Sequence, residues 1–571
     1  MSAELPTEPS ERAKVRVGAL DAQQTDGIGS LFVITQPPSA PVPSRPTLPS
    51  SDGGARGAPY RLPDEPSRLS WPRRIATGLP LLATLIVQAS LSLKLVWSNT
   101  AFQDEALYLW AGRLEWSHWL HGTPVPPFPT YFSGAPVIYP PVGALANSIG
   151  GLAAARILSL VFMLAATSLL WSTASRLFGR RAGFFAAALW AVLGPTLKLG
   201  AFATFDALSL CLMALAAWCA VRSSEQRNAT GWTLATGAAM IVSDLTAYSS
   251  LIFDPIILLL IGMSALDTFG WNVAKARCTS LIAYVVTGFA ILFKLGGPWY
   301  AHGIVITVFE RAPSNSSAAA VIAQAWSWTS YLACLVGAAT VISMLVERSW
   351  PARLMPLPML IALLAVPLEQ ARIHTLTSLD KHVAVSAWFA AIAAGYSINH
   401  VIDLLRPRMI RILATAGCAI AMSIPVDIGL QQAQQLFASW PNAASFVTWF
   451  RPIANADTGP MLVETPTLAE YYTAVGARWK LWSSTFNITL PSGHVVDEHG
   501  RVGFPDNASE FARYIKDGYF SIVALHHHGF DNQLDHGITR ILERNPSYRI
   551  VAIIPYGDSN YTVWKREKAD Q

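Results

Sequence analysis

Two adjacent carboxylates, Asp104 and Glu105, follow directly on the first long apolar run of the chain, and a third, Asp206, opens a later one. Acids at the ends of apolar segments are costly unless they are solvated or used. A carboxylate so placed can take a proton from a reacting hydroxyl. Local readings compete with that chemistry: Asp104-Glu105 complements the dipole of the helix it opens, and Asp206 caps a helix from Ala207 onward. Cations gather in Arg372-Ile373-His374-Thr375-Leu376-Thr377-Ser378-Leu379-Asp380-Lys381-His382, before another apolar run. A phosphate held there would gain charge-assisted hydrogen bonds and the positive end of the following helix. The competing reading is a solvated loop that touches lipid headgroups. Lys294, beside Gly296-Gly297-Pro298-Trp299-Tyr300, is a further cation for a phosphate, or it snorkels to the headgroups. His526-His527-His528 follow a strand pattern and point to alternate sides, which does not suit a single metal ion. No Gly-rich phosphate loop stands where a strand meets a helix, which disfavours a nucleotide-sugar donor.

The elements that must position these residues are apolar. Of 571 residues only 13% are charged while 52% are hydrophobic, with 20 Trp and a net charge of +5. Soluble domains carry about 25% charged residues. A single soluble enzyme, a disordered chain and a nucleic-acid-binding chain are all excluded, and a polytopic α-helical membrane protein is expected. Residues 1–74 are rich in Pro, Ser, Gly and Thr and read as a disordered cytoplasmic tail rather than a signal peptide. From Ile75 to about Gln431 the sequence holds about eleven apolar segments, several short of the ~20 residues a spanning helix needs. Basic residues alternate between their loops: Arg176, Arg180 and Arg181; Arg222 and Arg227; Lys275 and Arg277; Arg348 and Arg353; Arg406, Arg408 and Arg411. These loops are expected inside, and Asp104, Glu105, Asp206, Asp244, Glu310 and Asp380 on the outer side.

The first outer loop, 98–151, is the longest, and its Trp-rich and Leu-rich stretch Ala106 to His121 suits a helix lying in the membrane interface. An odd helix count brings the chain out through a connector, 432–451, into a small extracytoplasmic α/β domain over 452–571. There strand patterns at Met461 to Val463, Ile522 to Leu525 and Ile550 to Ile554 alternate with helical ones, one of them capped by Thr465 ahead of Pro466. The cysteines Cys211, Cys219, Cys278, Cys334 and Cys418 lie in or beside apolar runs, as small core residues do. Sequons at Asn228, Asn315, Asn487, Asn507 and Asn560 mark acceptor sites only in a glycosylating secretory compartment.

In order along the chain, Asp104-Glu105 is followed by Gly134-Ala135-Pro136, Tyr139-Pro140-Pro141 and Ala154-Ala155-Arg156. Arg176-Leu177-Phe178-Gly179-Arg180-Arg181 and Ala203-Thr204-Phe205-Asp206 come next. This ordered set resembles the C-type membrane glycosyltransferases of the dolichyl-phosphate-mannose protein mannosyltransferase and lipid A aminoarabinose transferase group, over roughly Ile75 to Gln431. The resemblance implies an inverting transfer of a single sugar from a polyprenyl-phosphate carrier to an acceptor protein, lipid or envelope glycan outside the cytoplasm. It implies Asp104 as the base, Glu105 in support, and Asp206 as a second acid that orients acceptor or metal. Lys381 is the first choice for the donor phosphate because relatives similarly carry Ser-x-x-Lys-His there, with Arg372, His382 and Lys294 behind it. Tyr139, Pro140 and Arg156 belong to the donor or acceptor loop. A divalent metal, Mg or Mn, stays open, as does the oligomeric state; lipids, the lipid-linked donor and the acceptor are the expected partners, and nucleic acid is not. One departure stands out: many relatives place a Lys before the Tyr of Asp244-Leu245-Thr246-Ala247-Tyr248, where this chain has Ala247. Asp244 and Asp254 are therefore open between function and local capping. Two other classes are carried beside the enzyme: a transporter or flippase, which calls for an internal repeat and midplane charges, and a non-catalytic assembly scaffold.

Overall fold

The computed structural model describes residues 71–305, 307, 316–485, 488–490, 495–496, 508–526 and 532–567, all within one compact unit. The expected tail thus lies outside the described residues up to position 70, as do Glu310, Asn315, Asn487, Asn507, His527 and His528.

The apolar runs form helices. These are α1 (Trp71–Val96), α2 (Gln103–His121), α3 (Tyr139–Phe178), α4 (Arg180–Ala191), α5 (Gly194–Leu199), α6 (Phe205–Ser223), α7 (Thr230–Thr246) and α8 (Asp254–Phe269). Then come α9 (Trp271–Ile304), α10 (Ala318–Val346), α11 (Trp350–Leu354), α12 (Pro356–Arg372), α13 (Leu379–Asp403), α14 (Arg408–Ala421) and α15 (Ser423–Ala438). Among the described residues, nine stretches are long and apolar enough to cross a membrane. The expected number is about eleven, and the two that fall short have clear causes. The run Gly183 to Leu199 breaks between α4 and α5, where Gly194 and Pro195 restart the helix, and α7 is 17 residues long.

Trp190 and Trp388 are both buried in the helical core. Their indole N–H groups donate to the carbonyls of Ala384 and Ala166, at 2.9 and 3.0 Å. That satisfies buried polar atoms where lipid offers no partner. The loops expected to share one side do meet. Arg176 and Arg222 both pair with Glu225, Arg181 and Arg411 with Asp403, and Arg277 reaches the carbonyl of Gln226.

On the opposite side α16 (Ala444–Asn455) leads into a sheet, and the connector expected as a link is itself helical. The later elements are β1 (Met461–Val463), α17 (Pro466–Tyr472), β2 (Trp482–Ser483), β3 (Ile488–Thr489), β4 (Val495–Val496), α18 (Ala508–Lys516), β5 (Ile522–His526), α19 (Asn532–Glu543), β6 (Tyr548–Tyr556) and β7 (Ser559–Arg566). The main sheet has five strands in the order β2-β1-β5-β7-β6, with β1 parallel to β2 and β5 and the β6/β7 hairpin antiparallel. Successive strand residues face opposite sides. Met461, Val463, Ile522 and Ala524 therefore pack with Phe446 and Phe450 of α16, and Leu462, Val523 and Leu525 with Phe511 of α18 and Ile538 of α19. Helix α17 starts at Pro466 as expected, but the Thr465 side chain makes no capping bond.

Helix α2 is not bare in an interface: residues from Glu105 to Glu115, Arg113 apart, are largely buried between α3 and α17, and its last turn, with Trp119 and Leu120, is exposed. Helix α3 starts at Tyr139 within the expected loop and bends at Gly150 and Gly151, the latter at φ +64°. Its first leg lies so close to α2 that a Cβ on Gly112 would stand 1.9 Å from the Pro140 carbonyl oxygen.

Candidate active site

The first turn of α2 sets the geometry. Phe102 is the N-cap residue, and its backbone N–H donates to Glu105 Oε2 at 3.0 Å, the reciprocal half of a capping box. The Glu105 carboxylate also accepts from Arg156 Nε at 2.8 Å, from an Arg156 terminal nitrogen at 2.6 Å and from the Ala203 N–H at 2.7 Å. Both side chains are fully buried. The guanidinium also donates to the carbonyls of Val96, at the end of α1, and of Asn99 and Thr100 in the turn that follows. Glu105 and Arg156 therefore form a closed lock that ties α1, α2, α3 and the turn before α6 together. Glu105 has no lone pair left for a substrate.

One residue earlier, Asp104 turns the other way. Its side chain is 42% exposed, and Lys381 Nζ lies 2.5 Å from Oδ2. The same ammonium is 3.7 Å from Asp206 Oδ2. Asp206 is not the cap of α6: that position is Thr204, whose hydroxyl donates to Asp206 at 2.7 Å. Lys381, from the first turn of α13, thus bridges two acids from α2 and α6. Its charge also lies over the Phe202 ring, 5.2 Å from the centroid. Tyr108, one turn along α2 from Asp104, is buried. Burial and then the charges of Asp104 and Asp206 push its phenol well above the usual range, so it stays a neutral hydroxyl.

A second cation, Lys198 of α5, holds Asp380 at 2.7 Å, with both side chains nearly buried. Its ammonium lies 5.1 Å from the same Phe202 ring. Lys198 is hidden in the sequence because it sits inside an apolar run. The available signal was a charge at the end of that run, just after Gly194-Pro195, since charges in such runs are rarely idle.

The other expected residues divide. Tyr139 is fully buried, its ring edge-on to Tyr108 with centroids 6.4 Å apart. Pro140 makes the close contact with Gly112. His382 stands half-buried beside Lys381. Arg372 is not brought to the acids: it forks onto Glu369, one turn back on α12, at 2.6 and 2.9 Å, with its side chain 70% exposed. Lys294 lies exposed on α9. Asp244 is buried against Asp254, carboxyl to carboxyl, with no hydrogen-bond donor on either Asp244 oxygen among the described residues. His526 ends β5, where its backbone N–H donates to Glu464 and its ring stacks on Tyr561. A divalent ion shared by Asp104 and Asp206 would need the place that the Lys381 ammonium takes, so these residues do not fit a bridging metal.

The sheet region holds α2 from above. Trp110 Nε1 donates to the Gly476 carbonyl at 2.8 Å, an Arg113 nitrogen to that of Tyr471 at 2.9 Å, and the Ala101 N–H to the Tyr472 hydroxyl at 2.8 Å. Trp479 Nε1 reaches the Pro124 carbonyl at 2.9 Å. Glu470 of α17, buried and without an ion pair among the described residues, is pushed up to about 8 by burial alone.

Residues 142–287 match the family model of dolichyl-phosphate-mannose-protein mannosyltransferases. No curated protein matches the sequence. In three dimensions the chain is similar to the crystal structure of ArnT from Cupriavidus metallidurans bound to undecaprenyl phosphate. Identity is 15% and the TM-score 0.55, over 87% of this chain and 98% of that one. It is also similar to the archaeal oligosaccharyltransferase AglB from Archaeoglobus fulgidus in complex with an inhibitory peptide and a dolichol-phosphate. There identity is 13% and the TM-score 0.51, over 80% of this chain and 70% of that one.

Proposed function

We propose that this chain, a multi-pass membrane glycosyltransferase resembling the mannosyltransferase and ArnT group, transfers one sugar from a polyprenyl phosphate to an acceptor hydroxyl at the centre formed by Asp104, Asp206 and Lys381. The observation that carries the reading is the Lys381 ammonium held between two acids from two other helices. A single displacement needs both partners. Asp104, the more exposed acid, takes the acceptor proton as the acceptor oxygen bonds to the sugar C1. The C1–O bond to phosphate breaks, its electron pair leaves with the polyprenyl phosphate, and the configuration at C1 inverts.

Lys381 is the cation for that leaving group. At rest it neutralises Asp104; a phosphate entering beside it draws the ammonium away and frees the carboxylate to act as base. Asp206 keeps hold of Lys381 during that exchange. Tyr108 lies beside the same centre and offers a neutral hydroxyl to sugar or phosphate oxygens, with Tyr139 packed behind it. Glu105 and Arg156 act by holding α2. The site lies on the side of the C-terminal sheet, opposite the basic loops. That arrangement fits a plasma-membrane orientation with the N-terminus in the cytoplasm and the sheet domain outside, where it is placed to cover the site or take up the acceptor.

The test is transfer from radiolabelled polyprenyl-phosphate sugars in membranes that carry the full chain. Asp104→Asn is expected to lower the rate by about 10²- to 10⁴-fold, and Lys381→Ala by about 10²- to 10³-fold. Transfer at the wild-type rate by the Asp104→Asn protein overturns this mechanism.

A further inference from the structure

The pair behind the bridge, Lys198 and Asp380, belongs to no part of that reaction. Lysines are almost never this buried unless paired, and Lys198 comes from a helix of six residues otherwise made of Gly, Pro, Thr and Leu. Its ammonium is placed on Asp380 at 2.7 Å. Asp380 directly precedes Lys381 in the first turn of α13, so the two side chains leave the helix about 100° apart. Fixing one fixes the direction of the other.

The chain entering α13 does not supply this alignment by itself. His374 and Ser378 both have positive φ, 54° and 63°, and neither is a glycine. Such a backbone persists only where its surroundings over-determine it. The charges point the same way. Lys381 meets Asp104 from α2 and Asp206 from α6, while Asp380, its neighbour on α13, is paired with Lys198 from α5. Without Lys198, Asp380 becomes a buried carboxylate whose remaining neighbouring cation is Lys381 itself. It then competes with Asp104 and Asp206 for the Lys381 ammonium.

We propose that Lys198 is a positioning residue: by holding Asp380 it keeps Lys381 aligned on Asp104 and Asp206. The proposal rests on the reading of Lys381 as the leaving-group cation. In the full-length protein, with radiolabelled polyprenyl-phosphate sugars as donor, Lys198→Met is expected to lower kcat by roughly 10- to 100-fold. The donor KM should stay within about threefold, since the lost contact aligns a group rather than binding substrate. Lys198→Arg should keep most of the rate. The decisive variant joins Lys198→Met to Asp380→Asn: with the competing charge gone, Lys381 returns to its acids and most of the lost kcat comes back.

A wild-type kcat in Lys198→Met, a rise in KM alone, or a double variant no faster than Lys198→Met each overturns the proposal. An unrelieved loss would mean that Lys198 meets the donor directly. Should Lys198→Met fail to insert, the double variant and Lys198→Arg carry the same test, because both keep a matched pair. Asp104→Asn is run alongside. If it transfers sugar normally, the catalytic reading falls; if it is inactive while Lys198→Met is normal, only the positioning role falls.

Discussion

Asp104 and Glu105 are neighbours on one helical turn and live in opposite surroundings. Glu105 is sealed against Arg156, with every lone pair of its carboxylate engaged. Asp104 has a single ammonium and an open side. A buried pair with this many hydrogen bonds resists exchange, whereas a half-exposed one is weak and replaceable. The difference teaches how the fold makes a usable acid: one carboxylate immobilises the helix so that the next need not be immobilised itself.

The largest break in that contrast comes from removing either half of the sealed pair. Glu105→Ala leaves the Arg156 guanidinium buried and unpaired, a loss of about 3–5 kcal/mol. The protein is expected to come out of detergent extraction aggregated or with a sharply lower thermal midpoint. Asp104→Asn in the same assay should keep its midpoint within a few degrees while losing transfer. Equal destabilisation by the two substitutions would erase the distinction between lock and site.

A third carboxylate, Glu470, sharpens the contrast by being buried without an ion pair among the described residues. Its folded pKa, about 8, lies above the ordinary 4.5. The folded protein therefore keeps a proton that the unfolded chain gives up as pH rises past that ordinary value. Stability is complete below it, falls as pH rises, and the loss levels off above about 8. Glu470→Gln cannot ionise, so between pH 5 and 9 its thermal midpoint should decline less than that of the wild type. Parallel curves would show that Glu470 is already charged in the folded protein. The smallest effect belongs to Arg372, whose fork lies on Glu369 in solvent. Arg372→Ala should change the transfer rate by less than about twofold, as most surface substitutions change little.

The apolar runs were legible because lipid demands long unbroken hydrophobic helices, and the strand patterns of β1 and β5 because they are covered on both faces, whereas in β6 Ile550, Val551 and Ile553 are exposed. Asp104 and Asp206 stand in the ordered set of short motifs and Lys381 in a separate Ser-x-x-Lys-His, and the three meet across three helices. Three features were hidden for different reasons. Lys198 looked like part of a membrane span, because its partner is nearly 200 positions away and nothing local announces it. Arg372 looks available in a run of cations, but Glu369, one turn back on its own helix, stands within reach of it. Glu105 looked like half of a catalytic pair, since side chains one residue apart seem alike until a buried guanidinium claims one of them.

The bonds that tie α2 and the turn before it to the sheet region span very long stretches of chain: 366 positions between Trp110 and Gly476, 358 between Arg113 and Tyr471, and 371 between Ala101 and Tyr472. During synthesis the helix bearing Asp104 is made early, but the partners that seat it arrive only with the final fifth of the polypeptide. Every membrane helix can therefore be in place while the reaction centre is still unfinished. A nascent or truncated chain lacks these bonds until its C-terminal sheet region folds, so the seating of Asp104 is completed last.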